Sequence, residues 1–227
     1  MNIRLDFSSV FAQWPAFLDG AVLTAELAAV AIVVGFLVGA LGAIARRSGT
    51  GLIARAFGVY VELIRNTPLL VQIFLVYFGL SSLGLSLDAF TVAALALTIN
   101  VGAYTTEIMR AGFDAIPPGQ IEAGECLGLG RVQVYWHVML LPAMERVYPA
   151  LASQFVMLML ASSITSQIST EELTAVANHV QSDTFRPFET YILLASIYVV
   201  LSLMMRVGFW GLAMALFPRR RRLGTLL

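Results

Sequence analysis

The chain has 227 residues, 59% of them hydrophobic and only 12% charged, with a mean hydropathy of +0.82 and a formal net charge of zero. Soluble domains usually carry about 25% charged residues, so most of this surface is built to face lipid. All 14 basic residues are arginine; without a lysine to reach a nucleotide's terminal phosphates an ordinary P-loop is excluded, and the single Cys126 excludes an internal disulfide or a multi-cysteine metal site.

The opening stretch, MNIRLDFSSVFAQWP, lacks a basic region followed at once by an apolar run, and so does not read as a cleaved signal peptide. Phe7, Phe11, Trp14 and Phe17 fall at helical spacing among Leu5, Ser8 and Ser9, which predicts a segment lying on the membrane interface. A bilayer core of about 30 Å needs roughly 20 apolar residues in a helix. Five such spans are predicted: about 20–45, about 57–83 with Pro68 inside it, about 87–113, about 143–168 and about 188–217. An odd number of spans puts the termini on opposite sides.

Arginine placement predicts which side is which. Arg46, Arg47 and Arg55 lie between spans one and two; Arg110, Arg131 and Arg146 flank the break between three and four; Arg219 to Arg222 follow span five. The opposite loops hold Arg4 and Arg186 beside Asp6, Asp88 and Asp183. Positive charge collects on the cytoplasmic side, so the N-terminus is expected outside and the C-terminus inside. Between spans four and five, STEELTAVANHVQS is too polar to cross. Ser169 with Glu172 three residues later suggests a capping box, and Leu173, Val176, Ala177 and Val180 form one apolar stripe, predicting a short helix on the outer face. No internal repeat or low-complexity region interrupts what reads as one membrane domain, all-α, over residues 1–227.

The cytoplasmic break, about 117–142, is the most polar interruption. After Pro117 and Pro118 the pattern predicts one helical turn around Glu122, Ala123, Gly124 and Glu125. Gly128 and Gly130 should end it, and a second should form over Arg131 to Val138. Small residues at Ala123 and Gly124 would let another protein approach the backbone, Glu122 would offer an acceptor at the edge, and Gly128 would supply a permissive turn. An ordinary connection between membrane helices fits the same residues. A dinucleotide fingerprint does not: Gly128-Leu-Gly130 would require a third glycine where Gln133 stands, after a strand that is absent.

Glu122-Ala123-Gly124, then Gly128, then Leu141-Pro142, resembles the EAA loop of permease subunits in binding-protein-dependent ABC importers. It departs in having glycine at the third position and one extra residue between Gly128 and the proline. YVELIRNTPLLVQIFLVYFGL (60–80) is similar to the second-span signature of the polar amino-acid permeases. Further similarity runs through residues 95–124 and through EEL and TFRPFETY near 171–191, so the resemblance covers most of the chain. It implies the type I importer permease fold, with Glu122, Ala123, Gly124 and Gly128 in a coupling helix that docks on two cytoplasmic ATPase subunits. ATP and magnesium would then sit on those partners, and no cofactor on this chain. A second permease copy or paralogue, an extracytoplasmic solute-binding protein and an amino-acid substrate complete the implied assembly, in a bacterial inner membrane. No nucleic acid is expected as a partner.

Polar residues inside the spans mark a bundle interior or a pathway. Asn100, Tyr104 and Glu107 share one face of span three, with Arg110 a turn later. They read either as part of a substrate path or, for Glu107, as half of an ion pair with Arg110 while Asn100 bridges helices. Arg65 reads as a snorkelling partner of Glu62 or as a gate beside Pro68. Span four ends with Ser162, Ser163, Thr165, Ser166 and Gln167; helix–helix contacts account for some, and others are expected to line a wet cavity. Relatives often carry a Lys-Asp pair where this chain has Leu160-Ala161, so the charge of the substrate's side chain stays open. His137, His179 and Cys126 are expected to be ordinary surface or packing residues. A self-sufficient secondary transporter is the competing class, but it would typically show repeated halves with broken helices. A membrane-embedded enzyme lacks any catalytic or metal constellation here.

Overall fold

The computed structural model describes residues 5–47 and 51–217. Arg4 and the Arg219 to Arg222 run, both used in the orientation argument, lie outside those residues. Among the described residues all regular structure is helical.

A short turn, α1 (Ser8–Phe11), leads into α2 (Trp14–Arg47). At 1.5 Å per residue α2 is about 51 Å long, so it outreaches the hydrocarbon core at both ends. Phe11 and Trp14 are exposed, as an interfacial segment requires, but Phe17 is fully buried with Val10, Leu173 and Val180. The predicted aromatic face therefore ends one turn early, because the helix there already packs against α9 (Leu173–Thr184).

The spine of the bundle is α2 against α5 (Ala89–Asp114). Ala31, Gly35, Gly39 and Ala43 recur every four residues along α2 and are all buried. A methyl group built on Gly35 would overlap Val101, and one on Gly39 would overlap Thr105. Lipid gives no hydrophobic reward for helix association, so close backbone contact through small residues does that work. Leu27, Leu97, Val101 and, from span four, Leu151, Phe155 and Leu158 complete the core.

The second predicted span is two helices, α3 (Leu52–Arg65) and α4 (Leu69–Ser82), meeting at 114°. Each has 14 residues, about 21 Å, so neither half crosses a 30 Å core alone. Pro68 has no N–H to give and holds the residue before it extended, which ends α3 at Arg65. Among the described residues there are thus four helices long and apolar enough to cross, and a fifth crossing only if the bent pair is counted as one.

Span four starts earlier than predicted. The helix runs unbroken from Arg131 through α7 (Arg131–Gln133), a π-helical stretch (Val134–Leu140), α8 (Leu141–Ala161) and a 3₁₀ stretch (Ser162–Ile168). Pro142 cannot donate to the carbonyl four residues back and its ring crowds it; the wider π turns just before it absorb that conflict. The predicted second short helix of the cytoplasmic break is therefore the root of span four.

The short helix α9 forms as predicted, with Leu173, Ala177 and Val180 buried, but its cap is different. Ser169 has φ +62 and ends the 3₁₀ stretch. Glu172 is itself the N-cap: its carboxylate oxygens accept from the amides of Thr174 (2.9 Å) and Ala175 (3.0 Å). The chain needs the three residues after Ser169 to turn, so the long glutamate side chain folds back where a serine was expected to reach forward. The last helix, α10 (Pro187–Leu216), is mostly exposed.

Candidate functional site

The polar break between α5 and span four carries one nine-residue helix, α6 (Pro118–Cys126), with Pro118 in its first turn where a missing N–H costs nothing. Its end is closed by paired backbone bonds. The Leu129 amide donates to the Gly124 carbonyl (3.2 Å), and the Gly128 amide donates to the Glu125 carbonyl (2.9 Å). That 6→1 plus 5→2 pattern needs a left-handed residue, and Gly128 supplies it at φ +77.

Glu122 and Ala123 are exposed, and among the described residues the Glu122 carboxylate has no partner. Gly124 points the other way. It is buried, and a methyl group there would meet Val138 at 3.3 Å and Val134 at 3.4 Å. The expectation that Gly124 opens the backbone to another protein is corrected: it lets α6 sit down on the π turns of its own chain. The same end of the bundle gathers Arg46 and Arg110 on Glu107, Arg47 over Phe113 (5.8 Å) and Arg146, which donates to the Ala115 carbonyl (2.9 Å). The knob is thus held on a cationic collar. The other end carries Asp6 and Asp88, both held below the usual carboxylate range, chiefly by hydrogen bonds from Ser8 and from Thr91 respectively.

A second polar locus sits where α3 meets α4. The bend strands the last carbonyls of α3. Gln72, buried, reaches back so that its Nε2 donates to the Ile64 carbonyl (2.7 Å) and the Thr67 carbonyl (3.0 Å). Asn100 on α5 then donates its Nδ2 to Gln72 Oε1 (2.8 Å). Tyr60 adds a hydroxyl bond to the Ile99 carbonyl. On the exposed side of the same bend, the Arg65 guanidinium lies 5.8 Å from the centre of the Tyr104 ring, a cation–π distance. The Glu62–Arg65 snorkelling pair does not form among the described residues; Asn66 donates to Glu62 instead (3.2 Å), because the bend turns Arg65 toward α5.

The three span-three residues therefore share a face but no common site. Asn100 serves the bend, Tyr104 meets Arg65, and Glu107 is clamped by Arg46 of α2 (2.6 Å) and by Arg110. Arg110 also pairs with Asp114. This is the ion-pair alternative for Glu107, extended by an arginine that sequence spacing did not offer.

At the α9 end of the bundle, the hydroxyls of Ser162, Ser163, Thr165 and Ser166 each donate to the carbonyl three residues back: Met159 (2.6 Å), Leu160 (2.8 Å), Ser162 (2.7 Å) and Ser163 (2.8 Å). The 3₁₀ stretch uses them to satisfy itself. Ser162 and Thr165 are buried, and Gln167 alone of the polar set is exposed. Sequence reasoning missed Gln72, whose signal was a polar residue four positions after the bend-forming Pro68. It also missed the joint around Glu172. There Tyr198 donates to the Glu172 carboxylate (2.8 Å), and the Leu173 amide donates to Thr24 Oγ1 (3.1 Å). Burial pushes the Glu172 carboxyl above its usual range despite those donors.

Residues 31–222 match the family described as binding-protein-dependent transport system inner membrane component. The octopine transport system permease protein of Rhizobium radiobacter is 32% identical over 215 residues, covering 91% of this chain and 88% of its own length. The glutamine transport system permease protein of Escherichia coli (strain K12) is 31% identical over 205 residues, covering 89% and 94%. Among solved structures, an amino acid ABC transporter crystallised with histidines superposes with a TM-score of 0.86 at 37% identity, covering 94% of this chain and 100% of that one. The MetNI methionine ABC transporter in an inward-facing form, at 17% identity and a TM-score of 0.75, shares the fold. With the type I importer fold, the capped α6 knob and membrane-crossing helices in place, the chain belongs to the binding-protein-dependent transport inner-membrane family and is a multi-pass permease subunit of an amino-acid ABC importer.

Proposed function

We propose that this permease moves polar amino acids inward by alternating access, with α6 as the handle through which separate ATPase subunits drive it. The observation that carries this reading is the split within one helix turn: Glu122 and Ala123 face outward without partners among the described residues, while Gly124 is locked onto Val134 and Val138. A rigidly seated helix with a free acidic edge transmits a push; a loose loop would absorb it. ATP and magnesium reside on two ATPase partners, a second permease copy or paralogue completes the pathway, and a solute-binding protein delivers substrate to the α9 side. The cationic collar supports a cytoplasmic α6 end, and with it an N-terminus outside and a C-terminus inside.

In this reading the α3–α4 bend lies on the substrate path. Arg65 is the gate candidate and Tyr104 its ring partner; Asn100 holds the bend in shape. Gln167 is the outer polar contact, whereas Ser162, Ser163 and Thr165 shape the 3₁₀ turn that presents it. Glu107 acts as a structural clamp near the cytoplasmic end. Uptake by the complete complex, competed with a panel of unlabelled amino acids, tests the assignment. Selective competition by polar amino acids supports it; insensitivity to the whole panel, or uptake that persists without ATP, contradicts it.

A further inference from the structure

Arg206 lies deep in a membrane helix, whereas the other partnerless described arginines, Arg55 and Arg131, sit in the first turn of theirs. It sits in α10, ten residues before Leu216, about 15 Å from that end at helical rise. It is exposed and, among the described residues, has no acid, carbonyl or ring partner. Ionisable groups at that depth ordinarily face a bundle interior or a wet cavity; this one lies against a groove of about 420 Å³ between α8 and α10. Pro149, Ala152, Val156 and Val207 give that groove an apolar floor. The two other polar side chains along it are Ser153 and Trp210, and among the described residues neither side chain has a hydrogen-bond partner. Guanidinium and indole N–H are donors only and a serine hydroxyl can donate, so the groove offers donors around an apolar slot and no carboxylate.

We propose that this groove binds an anionic phospholipid of the leaflet on the α6 side, its phosphate on Arg206 and one acyl chain along the apolar floor. A phosphodiester offers Arg206 two charged acceptor oxygens, as a carboxylate would, but only the lipid also brings an acyl chain that matches the apolar remainder of the groove. Trp210 lies one turn closer to the helix end than Arg206, the place an aromatic ring takes at the headgroup boundary. Basic grooves between membrane helices on the cytoplasmic side are suited to such headgroups. The rival occupant is the exposed Glu62 of a second copy of the chain.

The test uses the assembled transporter in mild detergent, equilibrated with equal phosphatidylglycerol and phosphatidylcholine, with retained lipid measured by native mass spectrometry. The wild type is expected to hold phosphatidylglycerol over phosphatidylcholine by about five-fold, the factor one basic residue contributes at an anionic surface. Arg206→Gln should abolish that preference, and Val207→Trp, which fills the groove and leaves the charge, should abolish retention. No headgroup preference in the wild type, or unchanged preference in Arg206→Gln, overturns the proposal. So does a result in which Arg206→Gln and Glu62→Gln dissociate the permease pair equally while lipid retention is untouched. Should Arg206→Gln fail to assemble, Val207→Trp decides: retained lipid overturns the site and lost lipid supports it.

Discussion

Asn100 donates to Gln72 at 2.8 Å across the boundary between α5 and α4, and Gln72 spends its own amide on the carbonyls that the bend leaves open. One buried side chain thus converts a proline break into a fixed angle. Replacing Gln72 by leucine removes the partner of the buried Asn100 amide and of the Thr67 carbonyl, while the Ile64 carbonyl keeps the Thr67 amide (3.5 Å) and hydroxyl (3.4 Å); a buried group left unmade costs about 1–3 kcal/mol. Gln72→Leu should lower the melting temperature in detergent and reduce uptake. The double variant with Asn100→Leu should be less damaged than the sum of the two single ones, because the residues act as a unit. Additive losses would show that they do not.

The small-residue seam between α2 and α5 predicts a steric outcome. Gly39→Leu forces a side chain into Thr105, and Gly35→Val forces one into Val101. Overpacking of this kind costs about 1–3 kcal/mol, so both variants should melt earlier than wild type. Gly79→Leu, where nothing lies within 4 Å of an added side chain in this chain, serves as the control.

Gly128 tests the seat of the knob. A β-branched residue at φ +77 costs about 1–2 kcal/mol, which frays the α6 cap while leaving the membrane helices intact. Gly128→Val should keep membrane insertion and lose most ATP-driven uptake, and Gly128→Asn, tolerant of the left-handed region, should retain more. Equal uptake by the two would mean that the cap does not matter.

The long apolar helices and the α6 turn were legible because lipid imposes a composition on the chain and a proline-bounded, glycine-ended helix has a local grammar; the bend that splits the second predicted span in two was not. Trp14–Arg47 and Pro187–Leu216 follow from apolar run length alone. What sequence could not place depended on which way a side chain turned. Gly124 looked like an opening to a partner and is a contact with Val134 and Val138. Glu172 looked like the third residue of a capping box and is the cap itself. Glu107 spaced correctly for Arg110, but Arg46 arrives from 61 positions away, which only packing reveals. Asn100 was visible as a polar residue in a span; that it completes a bond network begun by Gln72 was not.

The buried Glu172 makes a pH prediction with a definite sign. Desolvation raises its folded pKa above the ordinary value of 4.5, so the folded state binds the proton more tightly than the unfolded chain. Its contribution is fully present below that ordinary value, which the unfolded chain keeps, and is lost as pH rises through the raised folded value. Melting temperature measured upward from pH 4 should fall over that window in the wild type, and Glu172→Gln should flatten the fall. An unchanged profile in the variant would assign the pH dependence elsewhere.

The central claim is that force enters through Glu122 and its turn. The direct measurement is ATP-dependent amino-acid uptake in proteoliposomes by the complex carrying Glu122→Arg, together with the amount of ATPase that co-purifies. The account predicts a variant inserted at the wild-type level, with the ATPase lost or idle and uptake abolished. Wild-type uptake with the ATPase still bound would contradict it.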